Sequence, residues 1–172
     1  EMIELDPKSG LLDLNDLDNR LTEDTCCVYF ENPSYYGTLE TEGKKISQMA
    51  HRSGAMMIVG VDPSSLGVIA PPSSYGADIV CGDIQPLGLH MYCGGAKAGF
   101  MGVPDDPKFI MEYPSRLFGI APTSHQEWGF GDVAWERTSF ADREKAREFV
   151  GTASALWGIT AGVYLALMGP RG

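Results

Sequence analysis

The chain has 172 residues, 44% of them apolar and 21% charged, a composition typical of a soluble globular protein with a buried core. Its formal net charge of −10 repels phosphate backbones and anionic lipid, so we expect neither nucleic acid nor a membrane as a partner. The start, EMIELDP, lacks the pattern of a signal peptide, and the four cysteines lack a metal-type spacing, so we expect a reducing cytoplasm.

The first half of the sequence predicts a strand–helix–strand unit. Leucines at helical spacing predict a helix over residues 11–24, and the run CCVYF predicts a strand over 26–30. An apolar stripe predicts a helix over 42–53, and the continuous run AMMIVGV (55–61) is typical of a strand buried on both faces. A strand, a crossover helix and a second strand in this order imply parallel pairing.

The second half adds two more strands and a helical end. ADIVC (77–81) and AGFMGV (98–103) are predicted strands, a short helix is expected over 106–113, and EWGFGDVAWER (127–137) is typical of an irregular strand with exposed aromatic residues. Ser139 and Asp142 have the spacing of a capping box, which predicts a helix start. The apolar run 153–168 is too short for a membrane span and is interpreted as a buried core helix.

These elements predict an α/β protein with three layers, in which a mostly parallel sheet is flanked by helices. Residues 1–172 are interpreted as a single α/β domain excised from a longer subunit, because the chain starts at Glu1 and stops just after the apolar helix. Ligands of open α/β sheets bind at the carboxyl ends of the strands. Three loops leave such ends, 31–37, 62–76 and 82–97, and we expect any site to be built from them.

Few residues in these loops point to chemistry by themselves. Asp62 follows a buried strand and is suited either to bind a ring N–H or, the simpler role, to cap Ser64 or Ser65. His90 and Cys93 lie three residues apart, but a catalytic pair also needs an orienting group and an oxyanion hole, which the sequence does not supply. Lys97 is suited to bind an anion or to face solvent.

The segments taken in order resemble a known family. They are ENPSYYG, VDPSSLGVIAPPSSYGADIV, GDIQPLGLHMYCGGAKAGFMG, PSRLFGI and REKAREFVGTASALWGITAGVYLALMGPRG. Over nearly the whole chain they are similar to glycine dehydrogenase (decarboxylating), the P-protein of the glycine cleavage system, in its subunit 1. The resemblance implies the large-domain fold of the fold-type-I pyridoxal-phosphate (PLP) enzymes.

The resemblance also implies roles for individual residues. Asp62 matches the family's strand-end aspartate that meets the pyridine nitrogen of PLP, and Gly76-Ala77-Asp78 matches the GAD motif that precedes the Schiff-base lysine. Gln85 or Pro86 stands at the place of that lysine, and neither forms an imine. We therefore expect no covalent PLP and no catalytic residue on this chain, and Asp62 is its one candidate cofactor contact.

Partners follow from the same resemblance. PLP is expected on a second, PLP-bearing subunit in a heterotetramer, and the complete enzyme decarboxylates glycine and passes the aminomethyl group to the lipoyl arm of the H-protein. Three alternatives stay open: a self-sufficient PLP enzyme that uses Lys97 or another lysine, an acyl-transfer enzyme built on His90 and Cys93, and a purely structural module.

Overall fold

A computed structural model describes residues 1–5, 7, 9–91, 98–148 and 154–171. The chain forms two compact units: unit 1 consists of Glu1–Gly102 with Ser154–Gly172, and unit 2 is Val103–Ala153. The interpretation of residues 1–172 as one domain stays a prediction.

Four α-helices and six strands are present in the described residues. The helices are α1 (Leu14–Arg20), α2 (Gly43–Arg52), α3 (Pro107–Ile110) and α4 (Ala155–Met168). The strands are β1 (Cys27–Glu31), β2 (Met56–Val61), β3 (Ile79–Asp83), β4 (Gly99–Gly102), β5 (Phe118–Pro122) and β6 (Trp128–Asp132). Short 3-10 helices occupy Pro63–Gly67, Pro72–Tyr75, Trp135–Arg137 and Gly169–Arg171.

The central sheet of unit 1 has the strand order β1-β2-β3-β4. β1 pairs with β2 and β2 with β3 in parallel, whereas β4 runs antiparallel to β3. The predicted strand–helix–strand unit and the mostly parallel sheet are therefore confirmed. Parallel pairing brings the carboxyl ends of β1, β2 and β3 to one edge.

Helix α2 covers one face of this sheet. Val28 and Phe30 of β1 are buried, while the alternate residues Cys27, Tyr29 and Glu31 are exposed on the other face. The main core joins the inward side chains of the sheet to the apolar stripe of α2; its members are Leu17, Val28, Phe30, Ile46, Ala50, Ala55, Met57, Val59 and Val61. The periodic pattern that predicted α2 thus marks its buried stripe.

The prediction of a buried core helix at the end of the chain is wrong for the described structure. In α4 only Ala161 is buried, and Leu156 and Leu167 are 66% and 82% exposed. Trp157 and Ala161 pack with Ile84 and Leu89 on one side, which leaves the rest of an all-round apolar helix uncovered. None of the helices in the described part of the chain combines the length and apolarity that a membrane crossing requires.

The capping-box prediction at Ser139 is also wrong. Residues 139–148 form turns rather than a helix. Ser139 donates its backbone N–H and its hydroxyl to Oε1 of Glu148, and Asp142 accepts from the N–H of Glu144 instead of capping a helix with Ser139. The hydrogen bonds between Ser139 and Glu148, nine residues further along the chain, have therefore replaced the capping box expected between Ser139 and Asp142.

Unit 2 is built around the β5–β6 hairpin, of which the sequence predicted only the second strand. One face of the hairpin carries large exposed side chains, and the opposite face carries small residues. The large ones are Phe118, Ile120, Pro122, Trp128 and Phe130, and the small ones are Gly119, Ala121, Gly129 and Gly131. The guanidinium of Arg116 binds both carboxylate oxygens of Asp132 at 2.6 and 2.7 Å and lies over the rings of Phe118 and Phe140.

Candidate functional site

An open cavity of about 560 Å³ lies at the carboxyl edge of β1, β2 and β3 in unit 1. Its described lining residues come from the ends of the three strands and from the loops that follow them: Tyr29, Glu31, Pro33, Ser34, Tyr35, Gly60, Val61, Asp62, Pro63, Cys81, Gly82, Asp83, Gln85, Pro86 and Met91. All three loops that the sequence singled out contribute. The rule that ligands gather at strand carboxyl ends therefore located this cavity.

Asp62 lies in this cavity and acts as a cap. Its Oδ1 accepts hydrogen bonds from the backbone N–H of Ser64 at 2.8 Å and from the Ser64 hydroxyl at 2.6 Å. Ser65 donates its hydroxyl to the backbone carbonyl of Asp62 at 2.6 Å. The simpler of the two roles considered for Asp62 is thus present in the structure, at the start of the 3-10 helix Pro63–Gly67.

The loop after β1 is closed by side-chain hydrogen bonds. Asn32, which is 5% exposed, donates from Nδ2 to the carbonyl of Glu40 and accepts at Oδ1 from the Glu40 N–H, each at 3.1 Å. The hydroxyls of Ser34 and Thr38 lie 2.5 Å apart. The closed loop displays Tyr35 and Tyr36 to solvent, 88% and 83% exposed.

Tyr29 lies across the cavity floor. Its hydroxyl donates to Oε1 of Glu31 at 3.2 Å, and it stands 2.6 Å from the point that a Cβ on Gly60 would occupy. Partial burial, followed by the neighbouring Glu31 carboxylate, raises the pKa of Tyr29 to about 12. The phenol therefore stays protonated at neutral pH and serves as a hydrogen-bond donor.

Asp78, the aspartate of the GAD motif, lies away from the cavity because it precedes β3. Its Oδ2 accepts from the backbone N–H of Met57 at 2.7 Å and lies 2.8 Å from Nε2 of His51. Ser47 donates its hydroxyl to the carbonyl of Gly76 at 3.1 Å, which ties α2 to the same segment. Asp78 thus fastens the amino end of β3 to β2 and α2.

The residues at the expected lysine position do line the cavity. Gln85 donates from its backbone N–H to Oδ1 of Asp83 at 2.6 Å and from Nε2 to the carbonyl of Leu89 at 2.8 Å, and Pro86 lies beside it. His90 is exposed and is not among the described lining residues. Cys93 and Lys97 lie outside the described residues.

The chemistry of the described lining does not fit a covalently held PLP. It contains the carboxylates of Glu31, Asp62 and Asp83, and no lysine or arginine. Carboxylates repel a phosphate ester, and an imine requires a primary amine. Within the described residues no group of three or more His, Cys, Asp or Glu side chains is placed to hold a metal ion.

Sequence reasoning missed Tyr29 as a lining residue, whereas Glu31 lies in the loop 31–37 that it singled out. Tyr29 belongs to the predicted strand 26–30, which was interpreted as a short strand without assigning its two faces. The signal was present, because alternate residues of a strand share a face and the strand ends at this edge.

A mostly parallel sheet with a ligand-sized cavity at the carboxyl edge of its parallel strands defines an α/β protein of the class that binds small molecules or partners at its strand ends. Residues 6–172 match the family model described as glycine cleavage system P-protein, so the chain belongs to that family.

Individual proteins that resemble this chain carry names from the same family. The chain is 36% identical over 172 residues to a probable glycine dehydrogenase (decarboxylating) subunit 1 from Staphylothermus marinus, and 38% identical over 173 residues to one from Saccharolobus islandicus. Its fold matches a crystal structure of inhibitor-bound glycine decarboxylase (P-protein) of the glycine cleavage system with a TM-score of 0.88 and 32% identity. The whole chain is covered in each case, but it spans only 37%, 38% and 38% of these proteins, respectively.

Proposed function

We propose that this chain is part of subunit 1 of a glycine dehydrogenase (decarboxylating) and supports catalysis without anchoring the cofactor itself. In this proposal a second subunit carries PLP in the cytoplasm, within a heterotetramer. The assembled enzyme decarboxylates glycine and hands the aminomethyl group to the lipoyl H-protein. PLP supplies an electron sink for the carbanion left by CO2 loss.

One observation carries the proposal beyond family membership. The cavity lies where a cofactor would be expected, yet its described lining offers three carboxylates and no amine. Its rim is a closed loop held by Asn32 that presents two tyrosines, a residue type enriched at protein interfaces. These features favour contact with a partner protein over covalent chemistry.

Asp62 has a limited part in the proposal. Because its Oδ1 already caps Ser64, its first task is to shape the loop that enters the cavity. Contact between Asp62 and the pyridine nitrogen of a cofactor stays a prediction from the family resemblance.

The test uses the full-length subunit that contains this sequence, purified with a PLP-bearing subunit 2. We expect the two to co-purify and to exchange the carboxyl group of glycine with bicarbonate. Borohydride reduction followed by peptide mass analysis should place the pyridoxyl group on the partner. A stoichiometric pyridoxyl lysine in this chain would instead support the self-sufficient enzyme and overturn the proposal.

Variants separate a supporting role from a merely structural one. Replacing Tyr35 with Ala should weaken co-purification and lower the exchange rate, because an exposed anchor is lost from a loop that stays closed. The control is Tyr164→Ala on α4, a residue that is not among the described residues lining the cavity. Equal behaviour of the two variants would argue against the cavity rim as the contact.

A further inference from the structure

The adjacent thiols of Cys26 and Cys27 form a pair apart from the cavity. Their Sγ atoms lie 3.8 Å from each other, and both residues are exposed. Neighbouring side chains within a strand point to opposite faces, but Cys26 precedes β1, so its thiol is free to turn toward that of Cys27.

The backbone around the pair is fixed by the sheet. The carbonyl of Cys26 accepts from the N–H of Met56 at 2.9 Å, and Cys27 is in register with Met56 in the β1–β2 ladder. The two thiols are therefore presented from an ordered strand start rather than from a loop.

Adjacent cysteines are poorly suited to bond with each other. The peptide between them is trans, which sets their Cα atoms about 3.8 Å apart, whereas ordinary disulfides need about 4.4–6.8 Å. Partial burial and the neighbouring Cys26 thiol raise the pKa of Cys27, which keeps its sulfur protonated at neutral pH. Both effects favour a stable dithiol.

A pair of close thiols that resists forming a disulfide is a chelate for soft acceptors that bind two sulfurs at once. We propose that Cys26 and Cys27 form a dithiol site for trivalent arsenicals. In the binding step both S–H bonds and two As–OH bonds break, two S–As bonds form, and each released hydroxyl leaves as water with one thiol proton. No electrons are transferred, so neither an oxidant nor a reductant is needed.

The site is separate from the candidate functional site. Cys27 and Glu31 stand at opposite ends of β1, four residues apart, which corresponds to about 13 Å at about 3.3 Å per residue. Neither cysteine is among the described residues that line the cavity. The proposal therefore does not depend on the function proposed above.

Phenylarsonous acid, the hydrated form of phenylarsine oxide, is the probe. Intact mass should show one arsenical bound per chain after a wash with excess monothiol, and 2,3-dimercaptopropanol should remove it. Cys26→Ser and Cys27→Ser should each lose the wash-resistant adduct, since a single S–As bond exchanges with monothiol. Cys81→Ser and Cys93→Ser are the matched controls and should retain it.

Circular dichroism of all four variants checks that the fold is kept, which is expected for the two exposed positions. A wash-resistant adduct that survives in Cys26→Ser, or its loss in Cys81→Ser, would assign the arsenical to another pair of thiols and overturn the proposal. Complete removal of the arsenical from the unaltered chain by monothiol would overturn it as well.

Discussion

The side chain of Asn32 binds both backbone polar groups of Glu40, eight residues further along the chain. The amide thereby pairs with the backbone of Glu40 as the backbone of a neighbouring strand would. This pairing closes the loop that forms one wall of the cavity. Asn32 is buried, so removing its amide would leave the N–H and the carbonyl of Glu40 without their partner.

Asn32→Ala should therefore lower the free energy of unfolding by about 2 kcal/mol and open the loop. Urea denaturation measures the first effect, and limited proteolysis within residues 33–39 measures the second. Asn15→Ala, at an exposed position of α1, is the control and should change stability by less than about 0.5 kcal/mol. Equal protease resistance of Asn32→Ala and the unaltered chain would show that the loop is held by other contacts.

The cap formed by Asp62 predicts a contrast between two replacements. Asp62→Ala should cost about 1 kcal/mol, because the N–H of Ser64 loses its acceptor, whereas Asp62→Asn should cost only a few tenths, since asparagine caps nearly as well. Thermal unfolding of the two variants provides the comparison. If asparagine were as damaging as alanine, the negative charge rather than the hydrogen bond would be the important property.

Gly82 lies in β3 where a side chain has no room. A Cβ there would stand 2.2 Å from the backbone oxygen of Val61 and 2.8 Å from the ring of Phe100. Gly82→Ala should destabilise unit 1 by about 1–3 kcal/mol, because the paired strand must shift. Gly67→Ala meets nothing within 4 Å and is the control for denaturant unfolding. A stability loss as large for Gly67 would contradict the steric explanation.

The Arg116–Asp132 pair should depend on the shape of the guanidinium. Arg116→Lys retains the charge but loses the bidentate contact and the stacking on Phe118 and Phe140, so we expect a loss of about 1–3 kcal/mol. Arg52→Lys, in the exposed pair with Asp18, should change stability by less than about 1 kcal/mol. Both are measured by urea unfolding, and similar losses for the two would argue against a special role of Arg116.

Tyr29 should make stability depend on pH in the alkaline range. Its folded-state pKa is raised to about 12, above the value of about 10 for an unfolded chain, so the folded state holds the phenol proton more tightly. This contribution is complete below pH 10 and is lost as the pH rises through 12. In an alkaline titration followed by tyrosinate absorbance, Tyr29→Phe should have one fewer tyrosine that ionises near pH 12 than the unaltered chain. The control Tyr36→Phe, at a position that is 83% exposed, should leave the number of such tyrosines unchanged.

The sequence predicted the parallel core because its signals there are local and consistent. The apolar run at 55–61 became β2, and the stripe at 42–53 became α2, within a few residues of the predicted ends. It failed where distant contacts outweigh local ones. Ser139 binds Glu148 rather than starting a helix, and β5 was missed because FGIAP combines glycine and proline, which disfavour strands.

The location of the cavity was predictable, but its chemistry was only partly so. The order of strands and loops indicated the edge, and Asp62 was placed there with its capping role considered. The closure of the loop by Asn32 depends on side-chain geometry that no spacing in the sequence encodes, whereas the two-residue spacing of Tyr29 and Glu31 already places them on one face of β1.

Gly60 shapes the cavity floor because it has no Cβ atom. The hydroxyl of Tyr29 rests almost where the first carbon of a side chain at position 60 would project. A single added methyl group at position 60 would force the Tyr29 hydroxyl, which donates to Glu31, to move. The shape of the cavity therefore depends on Gly60, the smallest type of residue, as much as on the larger residues that line it.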